Sequence, residues 1–93
     1  MHPEVSIIIP TYKRIQKLQR ALESIPLACT LPYEAIVIDD CPDGSAAAVS
    51  IQFGARYLCK AGREKGQSRS RNLGIKLSIG RILIFLDDDD FLH

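Results

Sequence analysis

Carboxylates occur at two places in this chain where a run of apolar residues has just ended. Ile36-Val37-Ile38 is followed by Asp39-Asp40, and Ile82-Leu83-Ile84-Phe85-Leu86 by Asp87-Asp88-Asp89-Asp90. A third apolar run, Val5-Ser6-Ile7-Ile8-Ile9, delivers Pro10, Thr11 and Tyr12. If the runs are parallel strands of one sheet, at least six carboxylates from distant parts of the sequence reach one rim. Like charges a few Å apart in a partly desolvated cleft repel on the kcal/mol scale unless a cation or proton intervenes. A hard, oxygen-rich site of this kind suits Mg²⁺ or Mn²⁺, held by one or two carboxylates together with the phosphates of a substrate.

The basic residues complete that pattern. Lys60, Arg63, Lys65, Arg69, Arg71 and Lys76 lie between the third and fourth expected strands, where the one acid is Glu64. Gly62 and Gly66 allow a loop backbone to approach a ligand closely. A helix beginning after Gln67 offers its first free N–H groups to an anion. A diphosphate fits between such a basic loop and an acidic rim. Plainer readings exist for single residues. Asp39-Asp40 before Pro42-Asp43-Gly44 also reads as turn chemistry, Tyr12 as a packing residue, and Arg63, Lys65 and Arg69 as solvated side chains.

Positioning these groups requires strands that end together. Val5–Ile9 and 35–38 are short, β-branched and almost wholly apolar, as strands covered on both faces are. Pro10 is expected to end the first strand, because proline cannot donate to a ladder. Ile15, Leu18, Ala21, Leu22 and Ile25 recur at helical spacing, with Lys13, Arg14, Lys17 and Arg20 on the opposite side. Pro26 and Pro32 are expected to bracket a loop. A short helix over 45–52, a weak third strand over 55–58, a second amphipathic helix over 68–78 stopped by Gly80, and a fourth strand over 81–86 complete the reading. Strands alternating with helices imply right-handed crossovers, and so an α/β fold with a Rossmann-like parallel sheet of about four strands covered by helices on both faces.

Composition removes several classes. With 93 residues, 46% hydrophobic and 25% charged, the chain has room for one small domain and the profile of an ordinary globular protein. A formal charge of +1 argues against a protein whose main work is electrostatic binding of nucleic acid or membrane. No apolar run approaches the roughly 20 residues of a membrane-spanning helix. Met1-His2-Pro3-Glu4 lacks the features of a secretory signal, so a cytoplasmic location is expected, with membrane association possible in a longer protein. Cys29, Cys41 and Cys59 form neither a disulfide framework nor a metal-binding pair and read as small, buried or half-buried apolar residues. His2 and His93 are terminal.

Four segments, in order, resemble the amino-terminal half of family 2 glycosyltransferases: Val5-Ser6-Ile7-Ile8-Ile9-Pro10-Thr11-Tyr12, Ile36-Val37-Ile38-Asp39-Asp40, Gly66-Gln67-Ser68-Arg69-Ser70-Arg71-Asn72-Leu73-Gly74-Ile75 and 80–90. The resemblance spans essentially the whole chain. It implies the A-type glycosyltransferase fold with strand order 3-2-1-4, and residues 1–93 as one donor-binding subdomain of a larger catalytic domain. It implies a nucleotide-diphosphate sugar donor, often a uridine diphosphate sugar, with transfer to an acceptor hydroxyl and inversion. The acceptor could be a saccharide, a lipid or a protein. Mapped onto this sequence, Pro10, Thr11 and Tyr12 line the nucleoside, Asp40 hydrogen-bonds the base and Arg71 faces the nucleotide or its diphosphate. The Asp-X-Asp motif falls on Asp87, Asp88 and Asp89, with Asp87 near ribose and metal and Asp89 as direct metal ligand, and the four-aspartate run leaves the register open by one residue. The family commonly has Asn where Lys13 stands and Gly-Ser where Cys41-Pro42 follow the Asp pair. Its catalytic base and acceptor surface belong further along the chain, so no catalytic residue is expected in this one and no turnover from it alone. A sheet ending after its fourth strand leaves an edge uncovered, so self-association is expected to be possible.

Two other classes use acidic clusters at strand ends with Mg²⁺. A receiver-like phosphoacceptor domain and an aspartate-nucleophile phosphatase both place their key carboxylates after the first strand. Here the Asp pair follows the second.

Overall fold

The computed structural model describes residues 2–40, 43–59 and 67–87. Seven elements follow in chain order: β1 (Val5–Thr11), α1 (Ile15–Ala28), β2 (Tyr33–Asp39), α2 (Ala47–Gln52), β3 (Arg56–Cys59), α3 (Gln67–Leu77) and β4 (Ile82–Phe85). The strands form one four-stranded sheet in the order β3-β2-β1-β4. Every pairing is parallel: Val5 lies beside Tyr33 and Ile82, and Ile36 beside Arg56. This is the expected α/β architecture and strand order.

Alternation along the central strands explains the two helical layers. Successive side chains of a strand point to opposite faces. Val5, Ile7 and Ile9 of β1 and Ala35 and Val37 of β2 pack with Leu18, Ala21, Leu22 and Ile25 of α1 and Val49 of α2. Ile8, Ile36 and Ile38 point the other way, against Leu73 and Leu77 of α3. Both faces of β1 and β2 are thus buried, which is why those strands read as continuous apolar runs rather than alternating ones. Each fully buried aliphatic side chain contributes about 1.5–3 kcal/mol. Gly74 lets α3 lie directly on β1, since a Cβ there would overlap Ile8 Cγ2.

Two prolines depart from expectation. Pro10 does not end β1 but lies within it, in register with Ile38. The hydrogen bonds give the reason. Leu86 N donates to Ile8 O at 3.0 Å and Asp40 N to Thr11 O at 2.9 Å, so even-numbered β1 residues turn their backbone toward β4 and odd-numbered ones toward β2. Pro10 therefore faces the β4 side, where the described pairing has already stopped at Ile8 and Phe85, and its missing N–H breaks no ladder bond. Pro26 does not open a loop; it sits inside α1, which runs on to Ala28 and closes with Cys29 N donating to Ile25 O at 2.8 Å. Near a helix end a proline removes one bond of the ladder, and the buried stripe through Ile25 holds the rest.

Among the described residues no helix is long and apolar enough to cross a membrane. Cys29 and Cys59 are half-buried thiols, and Cys41 lies outside the described residues.

Candidate functional site

The carboxyl ends of the strands meet as the sequence required. Thr11, Asp39 and Cys59 form one transverse row at the ends of β1, β2 and β3. Asp40 extends past that row, its backbone tied to β1 through the bond to Thr11 O. On the other side of β1, Leu86 is buried and anchored to Ile8, and Asp87 follows it, exposed. Of the residues mapped from the resemblance, Pro10, Thr11, Tyr12, Asp40 and Asp87 come together at this rim. Asp88 and Asp89, and with them the rest of the Asp-X-Asp reading, lie outside the described residues, as do Lys60, Arg63 and Lys65.

The two adjacent aspartates have different environments. Asp39 is fully buried, and Tyr57 on β3 donates its hydroxyl to Asp39 Oδ2 at 2.6 Å. Burial of the phenol, then its bond to and attraction by the Asp39 carboxylate, push the Tyr57 hydroxyl well above its ordinary value. Asp40 is half-buried and is the one of the pair nearer solvent. The Asp39–Tyr57 bond was not foreseen from sequence. A tyrosine in a weak strand gives no hint of its partner, and only the β2–β3 register brings the two together.

The chain leaves β1 through an unusual turn. Lys13 has φ 51°, the left-handed region a side chain rarely adopts, and places its Nζ 5.3 Å from the centroid of the Tyr12 ring. Tyr12 is half exposed at the rim. Arg71, on the first half of α3, stacks its guanidinium 5.7 Å from the centroid of the Phe85 ring at the end of β4. Phe85 shares a sheet face with Ile8, its register partner, the face on which α3 packs. The stack therefore joins the basic helix to the strand that carries Asp87. Arg69 is exposed.

Comparison with known proteins fits this geometry to a family. The family model described as "Glycosyl transferase family 2" matches residues 6–93. The chain belongs to glycosyltransferase family 2. It is 37% identical over 94 residues to an uncharacterized glycosyltransferase of Rickettsia felis, covering 97% of this chain and 15% of that protein. It is 36% identical over 90 residues to the uncharacterized glycosyltransferase YwdF of Bacillus subtilis, covering 95% of this chain and 33% of the relative. The chain thus spans a third or less of the length of these two relatives.

Solved glycosyltransferases share the fold. A mannosyltransferase from Pyrobaculum calidifontis, in complex with GDP-Man and Mn²⁺, superposes with a TM-score of 0.76 at 20% identity, over 98% of this chain and 29% of its own. Glucosyl-3-phosphoglycerate synthase from Mycobacterium tuberculosis, in complex with Mn²⁺, UDP and glucosyl-3-phosphoglycerate, gives a TM-score of 0.71 at 20% identity, over 96% and 36%. The family 2 chain therefore has the A-type glycosyltransferase fold that its four segments implied.

Proposed function

We propose that this chain is the donor-binding subdomain of a longer glycosyltransferase and holds a nucleotide-diphosphate sugar, uridine diphosphate first among the nucleotides, at the carboxyl ends of β1, β2 and β4. The observation that carries the reading is the convergence of Thr11, Asp40 and Asp87 at one rim in a family 2 chain. Open parallel sheets take their ligands there. In this arrangement Pro10, Thr11 and Tyr12 line the nucleoside, Asp40 accepts from the base, and Arg71 reaches the diphosphate from α3.

A divalent cation suits the residues present. Among the described residues no group of three or more His, Cys, Asp or Glu forms a self-sufficient metal cage. Asp87 is an exposed, hard oxygen donor, and Mg²⁺ and Mn²⁺ sites of this class use one or two carboxylates and complete themselves with substrate phosphates. Asp87 and Asp89 would hold the ion, with Asp88 beside the sugar nucleotide. Its chemistry there is to neutralise charge growing on the departing diphosphate. The chain's own part is to bind and orient the donor: Asp40, tied to β1 through Thr11 O, fixes the base, and Arg71, seated on the Phe85 ring, adds positive charge beside the phosphates. Transfer of the sugar to an acceptor hydroxyl with inversion needs a base, and no residue of this chain is assigned that role.

Calorimetric titration with UDP and with GDP, each with and without Mn²⁺, tests the reading on the wild type and on Asp89→Ala. The expected result is Mn²⁺-dependent binding that Asp89→Ala weakens at least about tenfold, the loss of one charged ligand contact. Binding indifferent to both metal and Asp89 would overturn the metal assignment, and no nucleotide binding at all would overturn the donor site.

A further inference from the structure

Resting on the donor-site reading, we propose that Tyr57 is a positioning residue of the nucleoside subsite: its hydroxyl, by holding the buried Asp39, fixes where the neighbouring Asp40 meets the base. Three observations point to it. Asp39 is fully buried, and a carboxylate withdrawn from water must be hydrogen-bonded or it destabilises the fold. The Tyr57 bond at 2.6 Å has the short length of a charge-assisted O–H···O⁻ contact. One residue later, Asp40 N donates to Thr11 O at 2.9 Å. The Asp39-Asp40 dipeptide is thus clamped from both sides, by a side-chain bond to β3 and a backbone bond to β1.

The turn that follows passes near the same hydroxyl. Gly44 has φ 66°, and a Cβ built on it would lie 3.7 Å from Tyr57 Oη, so the chain returns over the phenol as it enters α2. Ser45 N closes that turn on Asp43 Oδ1 at 2.9 Å. Packing against the α1 and α2 layer needs the ring of Tyr57. The hydroxyl is needed for Asp39. Tyr57 does not touch the base in this account; it acts through Asp39 on Asp40.

Base selectivity separates positioning from mere support of the fold. Uracil presents an N3–H donor to a carboxylate, whereas cytosine presents an acceptor at the same atom. A correctly placed Asp40 therefore prefers UDP to CDP, while a loss of stability weakens both alike. The experiment titrates UDP and CDP in the presence of Mn²⁺ into wild type, Tyr57→Phe and Asp39→Asn, with thermal midpoints measured on the same samples. Tyr57→Phe is expected to lower UDP affinity about tenfold and to erode the preference over CDP by a similar factor, the consequence of one buried hydrogen bond lost. Asp39→Asn still accepts from Tyr57 and is expected to keep the preference, which decides the matter if Tyr57→Phe does not fold. Tyr57→Phe with a lower midpoint but an unchanged preference overturns the inference alone, as does loss of the preference in Asp39→Asn. Wild type that binds neither nucleotide, or both equally, overturns the base-reading role of Asp40 and this inference with it.

Discussion

The two ends of the sheet treat their charges in opposite ways. At the amino ends, Glu34 of β2 has a side chain only 11% exposed and is surrounded by donors. Ser6 Oγ donates to Oε2 at 2.6 Å, Ile79 N to the same oxygen at 2.8 Å, and Arg56 Nη1 to Oε1 at 3.0 Å. Arg56 also donates to Leu77 O at 2.6 Å, and Gly80 N to Ser6 Oγ at 2.8 Å. One carboxylate thereby ties together β1, β2, β3 and the connection from α3 to β4. At the carboxyl ends Asp39 is buried and held, while Asp40 and Asp87 stand at or near solvent. The first end uses its charge to close the fold. The second holds one carboxylate fixed while Asp40 and Asp87 stand closer to solvent, as the proposed donor site requires.

Substitutions should therefore separate stability from binding according to the end they touch. The largest effect is expected from Gly80→Ala, because a Cβ there would lie 2.7 Å from the Ser6 nitrogen and the Val5 carbonyl carbon. Backbone cannot yield as a side chain can, so the cost is about 3 kcal/mol in urea unfolding. Glu34→Ala follows at about 2 kcal/mol, chiefly from the Ile79 N–H and Ser6 hydroxyl left without their acceptor; the Arg56 pair is half exposed and contributes little. Folded Glu34→Ala protein should bind UDP as wild type does. A nucleotide affinity that fell in step with stability would erase the contrast between the ends.

Carboxyl-end substitutions should do the reverse. Asp40→Asn is expected to reduce UDP affinity about tenfold, read by calorimetry, and to leave the unfolding midpoint nearly unchanged. Phe85→Leu removes the ring beneath Arg71 and should weaken UDP binding about two- to fivefold, the size of an exposed cation–π contact. The smallest effect is one of pH. Burial alone would raise the Glu34 carboxyl, but hydrogen bonds from Ser6 and Ile79 and the bond and charge of Arg56 outweigh it and hold the group below its ordinary 4.5. The folded state therefore binds this proton less readily than the unfolded one. The stabilisation is complete above pH 4.5 and is lost as pH falls through the lowered value. Thermal midpoints of Glu34→Gln should show a shallower acid decline than wild type, and equal slopes would remove Glu34 as its source.

Much of the architecture is legible in the sequence. The two-faced burial of β1 and β2 makes their sequences unbroken apolar runs; the run before Asp87 also marks a strand, although Ile82, Leu83 and Phe85 of β4 are exposed. What local pattern missed has a common cause. Pro10 looked like a terminator because its neighbour across the ladder was unknown, and Pro26 because the reach of the α1 stripe past it was. Glu34 and Tyr57 carry no motif, since the donors and acceptors they meet are 18 to 45 residues away. Arg71 was readable as a cation near the site, but its seat on Phe85 was not.

The sequence by itself determined the class of fold, the order of elements and the gathering of acids beyond the strand ends. Those follow from period, punctuation and the right-handedness of crossovers, all of which are local rules. Tertiary structure alone decided which aspartate of the pair is buried, which prolines are tolerated and which carboxylate ties the amino ends of the strands together. Each of those depends on register between strands distant in the chain, and register is set by packing the whole sheet at once.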